Sequence, residues 1–467
     1  MRMTNRDLPP AFIQRMQRLY GDEAGALLHG IGEPARGLRV NTLKCSVEHF
    51  LNIWPGQAKP VPFCRQGFYV ASSFKAGRDP LHHAGAYYMQ EPSAMSAVTA
   101  LAVRPGERIL DLCAAPGGKS TQIAAALEEC GLLWCNEYVP SRARVLAQNI
   151  ERCGVRNAVI SCAAADGLAT RLNGFFDGVL VDAPCSGEGM FRKEPEALAQ
   201  WSEDNIRLCA ARGRDILDAA ATMVRPGGRL VYSTCTFAPE ENECQIAAFL
   251  ARHPDFHLVE IPVGFGRSGL PWERVAPFSG GMESTEVDLT LCRRITPADG
   301  GEGHFVALLV RQGDADAGAF RMPETLTADL YGQQAEELYR ACFADEPHGQ
   351  FRVYGGQVRL VPAGMPPVDG LPVIVAGFAV AEICKNRLEP CHAAFMAAQA
   401  ADCRRCVDLS LDDPRLTAYL KGEAILVEQQ EKGWTGVAVE GITTGFGKAG
   451  GGVLKNRYPK GLRLLGQ

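Results

Sequence analysis

The chain has 467 residues, of which 46% are hydrophobic and 22% charged, an ordinary globular composition that supports two or three domains with sizeable cores. No run of about 18 apolar residues occurs and Met1 to Pro10 is polar, which argues against a membrane-spanning or secreted chain. The formal net charge of −5 does not itself point to nucleic acid, and 17 cysteines without a short-loop pattern indicate a reducing cytoplasm.

Residues 1–80 read as a small N-terminal α/β unit. Helical spacing runs from Pro9 to Leu28 through Phe12, Met16, Leu19 and Tyr20, and Leu38 to Lys44 alternates like a strand. Its outer side would carry Arg39, Asn41 and Lys44, either as a phosphate contact or as a solvated face. From 81 to 312 the pattern is α/β. Ser93 is placed to cap a helix over Ala94 to Leu101. Strands are expected at Ile109 to Leu112, Leu132 to Glu137, Ala158 to Ala163, Phe176 to Asp182 and Arg229 to Ser233, and again in the run Gly303 to Arg311. Helices are expected at Lys119 to Glu129, Pro140 to Cys153 and Glu203 to Met223. Strands alternating with helices predict right-handed βαβ units and a doubly wound, mostly parallel sheet.

Asp314 to Ala319 contains only Asp, Ala and Gly and reads as a linker. Beyond it, short β-like runs at Phe351 to Tyr354, Val358 to Val361, Val373 to Ala376, Ile425 to Val427 and Thr435 to Val439 lie among many Gly and Pro. They predict α+β or barrel-like modules, divided here into 320–400 and 401–467. Cys403-Arg-Arg-Cys406 has CxxC spacing, but no second CxxC or His pair follows, and adding Cys384 and Cys391 matches no zinc template; no metal is expected. The end of the chain is basic, with Lys448, Lys455, Arg457, Lys460 and Arg463, and a local patch of this kind can bind phosphate on an acidic protein.

The chemistry centres on Asp111-Leu-Cys-Ala-Ala-Pro-Gly-Gly-Lys119, where a buried strand ends in a Gly-rich turn and opens a helix. Bare backbone N–H groups gather there, the usual seat of a nucleotide-like ligand in an α/β fold. A P-loop ATPase would need glycine at position 113, which is Cys113, and a dinucleotide-binding G-x-G-x-x-G is absent. S-adenosylmethionine carries no phosphate and needs an acid at the end of the second strand for its ribose; Glu137 stands there. With Asp111, Asp166 and Asp182 it forms a row of acids at successive strand ends. Two cysteines, Cys185 in Asp182-Ala-Pro-Cys-Ser and Cys235 in Ser233-Thr-Cys-Thr, fall just beyond strands bordering that crevice. Thiolate attack at C6 of a pyrimidine makes C5 nucleophilic enough to take a methyl group. Either cysteine fits this role on spacing alone.

Asp111 to Lys119, Asp182 to Cys185 and Ser233 to Glu243 together resemble the Nop/Sun family of RNA cytosine-5 methyltransferases, and Gln90 to Met95, Gly303 to Ala307 and Lys455 to Arg463 resemble its RsmF type, which modifies small-subunit ribosomal RNA. The resemblance spans nearly the whole chain. It implies a Rossmann-like methyltransferase domain that binds S-adenosylmethionine through Cys113, Ala114, Ala115, Pro116, Gly117, Gly118, Lys119, Glu137, Asp166 and Asp182. It also implies Cys235 as the nucleophile, Cys185 as the group aiding product release, Asp182 and Lys119 beside the base, and a PUA-like RNA-binding end in which Tyr458, Lys455, Arg457 and Lys460 would stack and pair along ribosomal RNA. A cytoplasmic monomer is expected. The family's Pro-His and basic residue before Gly-Glu-Gly-His-Phe are replaced by Arg294-Ile-Thr-Pro-Ala298, which puts one RNA or active-site contact in doubt. A non-catalytic assembly factor on the same fold is the alternative in which both cysteines would be dispensable.

Overall fold

The computed structural model describes residues 7–31, 35–283, 286–314, 331–362, 364–366, 368, 370–385, 387–429 and 432–464. A ten-stranded sheet forms the centre, its strands numbered in chain order: β1 (Arg108–Asp111), β2 (Leu132–Asn136), β3 (Ala158–Ser161), β4 (Phe176–Asp182), β5 (Val224–Thr234), β6 (Phe256–Val259), β7 (Arg267–Ser268), β8 (Arg293–Ile295), β9 (His304–Arg311) and β10 (Val373–Ala376). Their spatial order is β7-β8-β9-β5-β4-β1-β2-β3-β10, with β6 also paired to β9. β1 to β5 run parallel, and β9 returns antiparallel beside β5. Ile109, Leu110, Leu133, Trp134, Val179 and Leu180 are fully buried, as expected of parallel strands covered on both faces. Because the chain winds one way from β1 through β3 and the other way through β4 and β5, a crevice opens at the carboxyl ends of β1 and β4.

The helices fall close to expectation: Gly118–Leu127, Pro140–Arg152 and Glu203–Met223. The expected Ser93 cap is not made. The turn at Ser93–Met95 is a 3-10 helix that runs into Ser96–Leu101, and Glu91 is the residue that satisfies it, its carboxylate accepting from Ala94 N at 3.0 Å while the Ser93 hydroxyl donates to that same carboxylate. The longer carboxylate reaches an orphan helix donor that a seryl oxygen already engaged does not.

The N-terminal sheet takes its fourth strand from Tyr87–Met89. Its strand Gly37–Val40 is paired on both edges, and Arg39, Asn41 and Lys44 are buried, not exposed. Arg39 donates to Gln90, to Gly118 O at 2.7 Å and to Thr121 Oγ1 at 2.8 Å. Asn41 Nδ2 donates to Gly85 O and Cys153 O. Lys44 Nζ donates to Met396 O at 2.6 Å and Thr443 Oγ1 at 2.5 Å, reaching the C-terminal region; burial lowers its pKa to about 7. These are ties between domains rather than a phosphate surface.

The run Val373 to Ala376 does form a strand, but as β10 it joins the central sheet, antiparallel to β3. The strands around it make a four-stranded sheet (Gln350–Tyr354, Gln357–Val361, Phe378–Cys384, Arg387–Pro390), and the last domain holds a five-stranded one. Phe50, Trp54 and Tyr87 share a core with Leu416, Tyr419 and Tyr458, so the two ends of the chain pack together. Of the expected linker, Asp314 is described and 315–319 lie outside the described residues. No helix among the described residues is long and apolar enough to cross a membrane.

Candidate active site

The loop from Cys113 to Gly117 leaves β1 and enters the helix Gly118–Leu127. Gly117 makes the turn at φ +111°, left-handed backbone that a side chain would strain. The loop is pinned from outside: Ala114 N donates to Asn136 O, Arg142 Nη2 to Ala115 O, and Asn149 Nδ2 to Pro116 O. Asp111, fully buried at the end of β1, accepts from Ser120 Oγ at 2.7 Å through one oxygen; its Oδ1 is buried without a hydrogen-bond partner. Burial pushes its carboxyl up to about 7 and the thiol of Cys113 well up. Glu137, buried just past β2, accepts from Val139 N at 2.9 Å and pairs with Arg142 at 3.3 Å. Asp166 is exposed in the first turn of Ala165–Ala169, where its carboxylate accepts from Gly167 N.

On the other side of the crevice, Lys119 Nζ donates to Asp182 Oδ2 at 2.7 Å, and Ser233 Oγ donates to Asp182 Oδ1 at 2.7 Å. Burial opposes both charges, yet each outweighs it for the other: Lys119 is raised and Asp182 held below the usual carboxylate range. Beyond β4 and β5, Cys185 Sγ and Cys235 Sγ lie 3.3 Å apart. The hydrogen bond with Cys235, then burial, pushes the Cys185 thiol well up.

Behind these thiols lie two buried acids that spacing alone does not single out, Glu188 and Glu241. Ser186 and Thr236, each next to a cysteine, have hydroxyl oxygens 2.8 Å apart. Ser186 donates from N and Oγ to Glu241, while Thr236 Oγ1 and Phe237 N donate to Glu188, which also accepts from Trp201 Nε1. Burial raises Glu241 to about 8. Gly189 N donates to Cys235 O at 2.9 Å, and a Cβ on Gly189 would lie 2.9 Å from Gly303 O and 3.0 Å from Cys235 O, so glycine lets three backbone segments meet here. His304 Nε2 lies 3.7 Å from Asp182 Oδ1. Glu241 lies within the run Ser233 to Glu243 and Glu188 three residues past Cys185, and hydroxyl residues beside each cysteine are the sequence signal for their partners.

Arg294, in the stretch that departs from the family pattern, is fully buried and binds Glu243 through two nitrogens, at 2.7 and 2.5 Å, and Tyr20 and Phe237 O through a third. Tyr458 is not available to stack on RNA: it is 2% exposed, its hydroxyl bonded to His83 Nδ1 at 2.9 Å. Lys448, Lys455, Arg457 and Lys460 are exposed, with Lys448 and Arg457 over the Trp434 ring at 4.9 and 5.6 Å. Among the described residues, no group of three or more His, Cys, Asp and Glu side chains is arranged to hold a metal ion.

Four family models match the chain: the N-terminal domain of 16S rRNA methyltransferase RsmF over 8–92, the 16S rRNA methyltransferase RsmB/F over 98–310, the RsmF first C-terminal domain over 335–397 and the RsmF PUA domain over 406–464. The chain is 32% identical to a ribosomal RNA small subunit methyltransferase F of Vibrio vulnificus, over 97% of each, and 43% identical to one of Pectobacterium carotovorum over 47% of each. Among solved structures it is similar to a methyltransferase homologue from Pyrococcus horikoshii, at TM-score 0.57 and 31% identity over 64% of this chain and 94% of that one. NSun6 from the same organism, solved with SFG, shares the fold at TM-score 0.55 and 23% identity, over 66% of this chain and 99% of that one.

Proposed function

Starting from a chain that belongs to the RsmF family of small-subunit ribosomal RNA methyltransferases, we propose that it methylates C5 of a cytosine in 16S ribosomal RNA, from S-adenosylmethionine, through a covalent bond between Cys235 and C6 that Cys185 helps to break. The observation that carries this reading is the contact of the two thiols at 3.3 Å beside the Lys119–Asp182 pair. One nucleophile serves many enzymes; a second thiol within reach of it suits a reaction that must undo its own covalent bond.

S-adenosylmethionine fits the residues present. The Cys113–Gly118 turn offers little bulk, Asp111 Oδ1 is a buried acceptor without a donor, and Glu137 holds a carboxylate at the end of the second strand. Bound there, the cofactor supplies an electrophilic methyl on a sulfonium. A P-loop role fits less well, since Lys119 is committed to Asp182 rather than free for a phosphate.

Asp182 and Lys119 hold the base edge at the mouth of the crevice, the base having left its stack. The Cys235 thiolate forms a C–S bond at C6, and the ring electrons shift to C5, which gains the methyl. The Cys235 sulfur then leaves C6 with the proton that Cys185 supplies, and the resulting Cys185 thiolate takes the C5 proton, which restores the aromatic ring. Cys185, its sulfur 3.3 Å from that of Cys235, is placed for both proton movements.

The test uses small subunits and S-adenosylmethionine with a labelled methyl. Wild type should yield 5-methylcytosine, Cys235→Ala neither product nor adduct, and Cys185→Ala a protein–RNA adduct stable to denaturation. An adduct in Cys235→Ala instead would reverse the two roles, and product undiminished without both thiols would sink the mechanism.

A further inference from the structure

Resting on the reading that Asp182 meets the base edge, we infer that His304 is a second acceptor for the exocyclic amine of the target cytosine, and so discriminates cytosine from uracil.

His304 opens β9 next to Gly303, whose backbone meets the Gly189–Cys235 contact, and its ring faces Asp182. It is 4% exposed. Its Nε2 is buried without a hydrogen-bond partner, and the 3.7 Å to Asp182 Oδ1 exceeds hydrogen-bond length. With the ring proton on Nδ1, the neutral imidazole presents Nε2 as a bare lone pair. Burial, then the charge of Lys119, lowers the imidazole to about 3, so the lone pair persists at neutral pH.

An unpaired buried acceptor costs free energy that a ligand donor recovers. Asp182 Oδ1 beside it is an acceptor too, while Lys119 is occupied on Oδ2. Two acceptors converging on one place call for an atom bearing two N–H bonds. The 4-amino group of cytosine has them; uracil would bring O4, a third acceptor, into the same space, and sites built around hydrogen bonds reject such analogues strongly.

The experiment rebuilds small-subunit RNA, at the cytosine mapped with wild type, with cytosine, 2-pyrimidinone or N4-methylcytosine. Wild type should lose about tenfold or more in kcat/KM on 2-pyrimidinone, which lacks the amine. In His304→Phe, checked by thermal unfolding, that gap should shrink to about threefold or less, because one partner of the amine is already gone. A gap unchanged from wild type would overturn the inference and mark His304 as structural. Should His304→Phe not fold, wild type decides alone: N4-methylcytosine methylated at the cytosine rate means one N–H is free, and the inference falls. If wild type methylates no cytosine at all, it is the parent reading that fails.

Discussion

Glu241 shows how much of this site is set by groups that never meet substrate. Its carboxyl accepts two hydrogen bonds from Ser186, the residue after Cys185, and Ser186 in turn joins Thr236, the residue after Cys235. Burial raises the folded-state value to about 8 from an ordinary 4.5, so between those two values the folded protein holds a proton that the unfolded chain has released. The stability this proton represents is fully present below about pH 4.5 and is lost as pH rises through about 8. Glu241→Gln, which cannot ionise, should therefore flatten the decline in unfolding free energy between pH 6 and pH 9, measured by urea titration. The same variant should leave the thiols close, with transfer reduced less than about tenfold. Cys185 and Cys235 were readable as strand-end cysteines from sequence. Their contact was not, because it depends on two loops of unrelated sequence being tied together by side chains.

Arg294 and Glu243 carry the argument at the level of elements. Their pair, 2% and 0% exposed, bolts β8 to the helix Glu243–Arg252, with Tyr20 bringing the first helix to the same point. Removing one charge strands the other in an apolar interior. Arg294→Met should cost about 3–5 kcal/mol in denaturant unfolding, while subunit binding by the protein that remains folded is unchanged, since the side chain has no solvent face. The parallel strands were legible because both their faces are apolar. β10 was legible as a strand but not as part of this sheet: a four-residue apolar run carries no mark of its partner. Arg39, Asn41 and Lys44 were misjudged for a related reason, since alternation reveals two faces of a strand but not that a second domain covers the polar one.

Across the whole molecule, the N-terminal and C-terminal domains are one structural unit wrapped against the catalytic sheet. Tyr458 is its pin, packed near His83, His392 and Tyr419. Tyr458→Ala should destabilise the protein by about 3–5 kcal/mol, read by denaturant unfolding. The exposed cations behave differently. Lys455→Glu with Lys460→Glu should leave the unfolding free energy within about 0.5 kcal/mol of wild type while weakening binding to small-subunit RNA, with a shallower dependence of affinity on salt. If Tyr458 instead governed RNA affinity without touching stability, the buried assignment would be wrong.

β10 also places a clock on synthesis. The catalytic sheet can pair β1 through β9 once the chain has emerged past Arg311, yet β3 keeps a bare edge until Ala376 has followed it out of the ribosome. At about 5–20 residues per second that interval lasts several seconds. During it the nascent protein presents unpaired backbone of the kind that recruits other strands. A strand made after the methyltransferase sheet thus guards the part already folded, and a ribosome stalled between the two leaves that sheet with an edge exposed to aggregation.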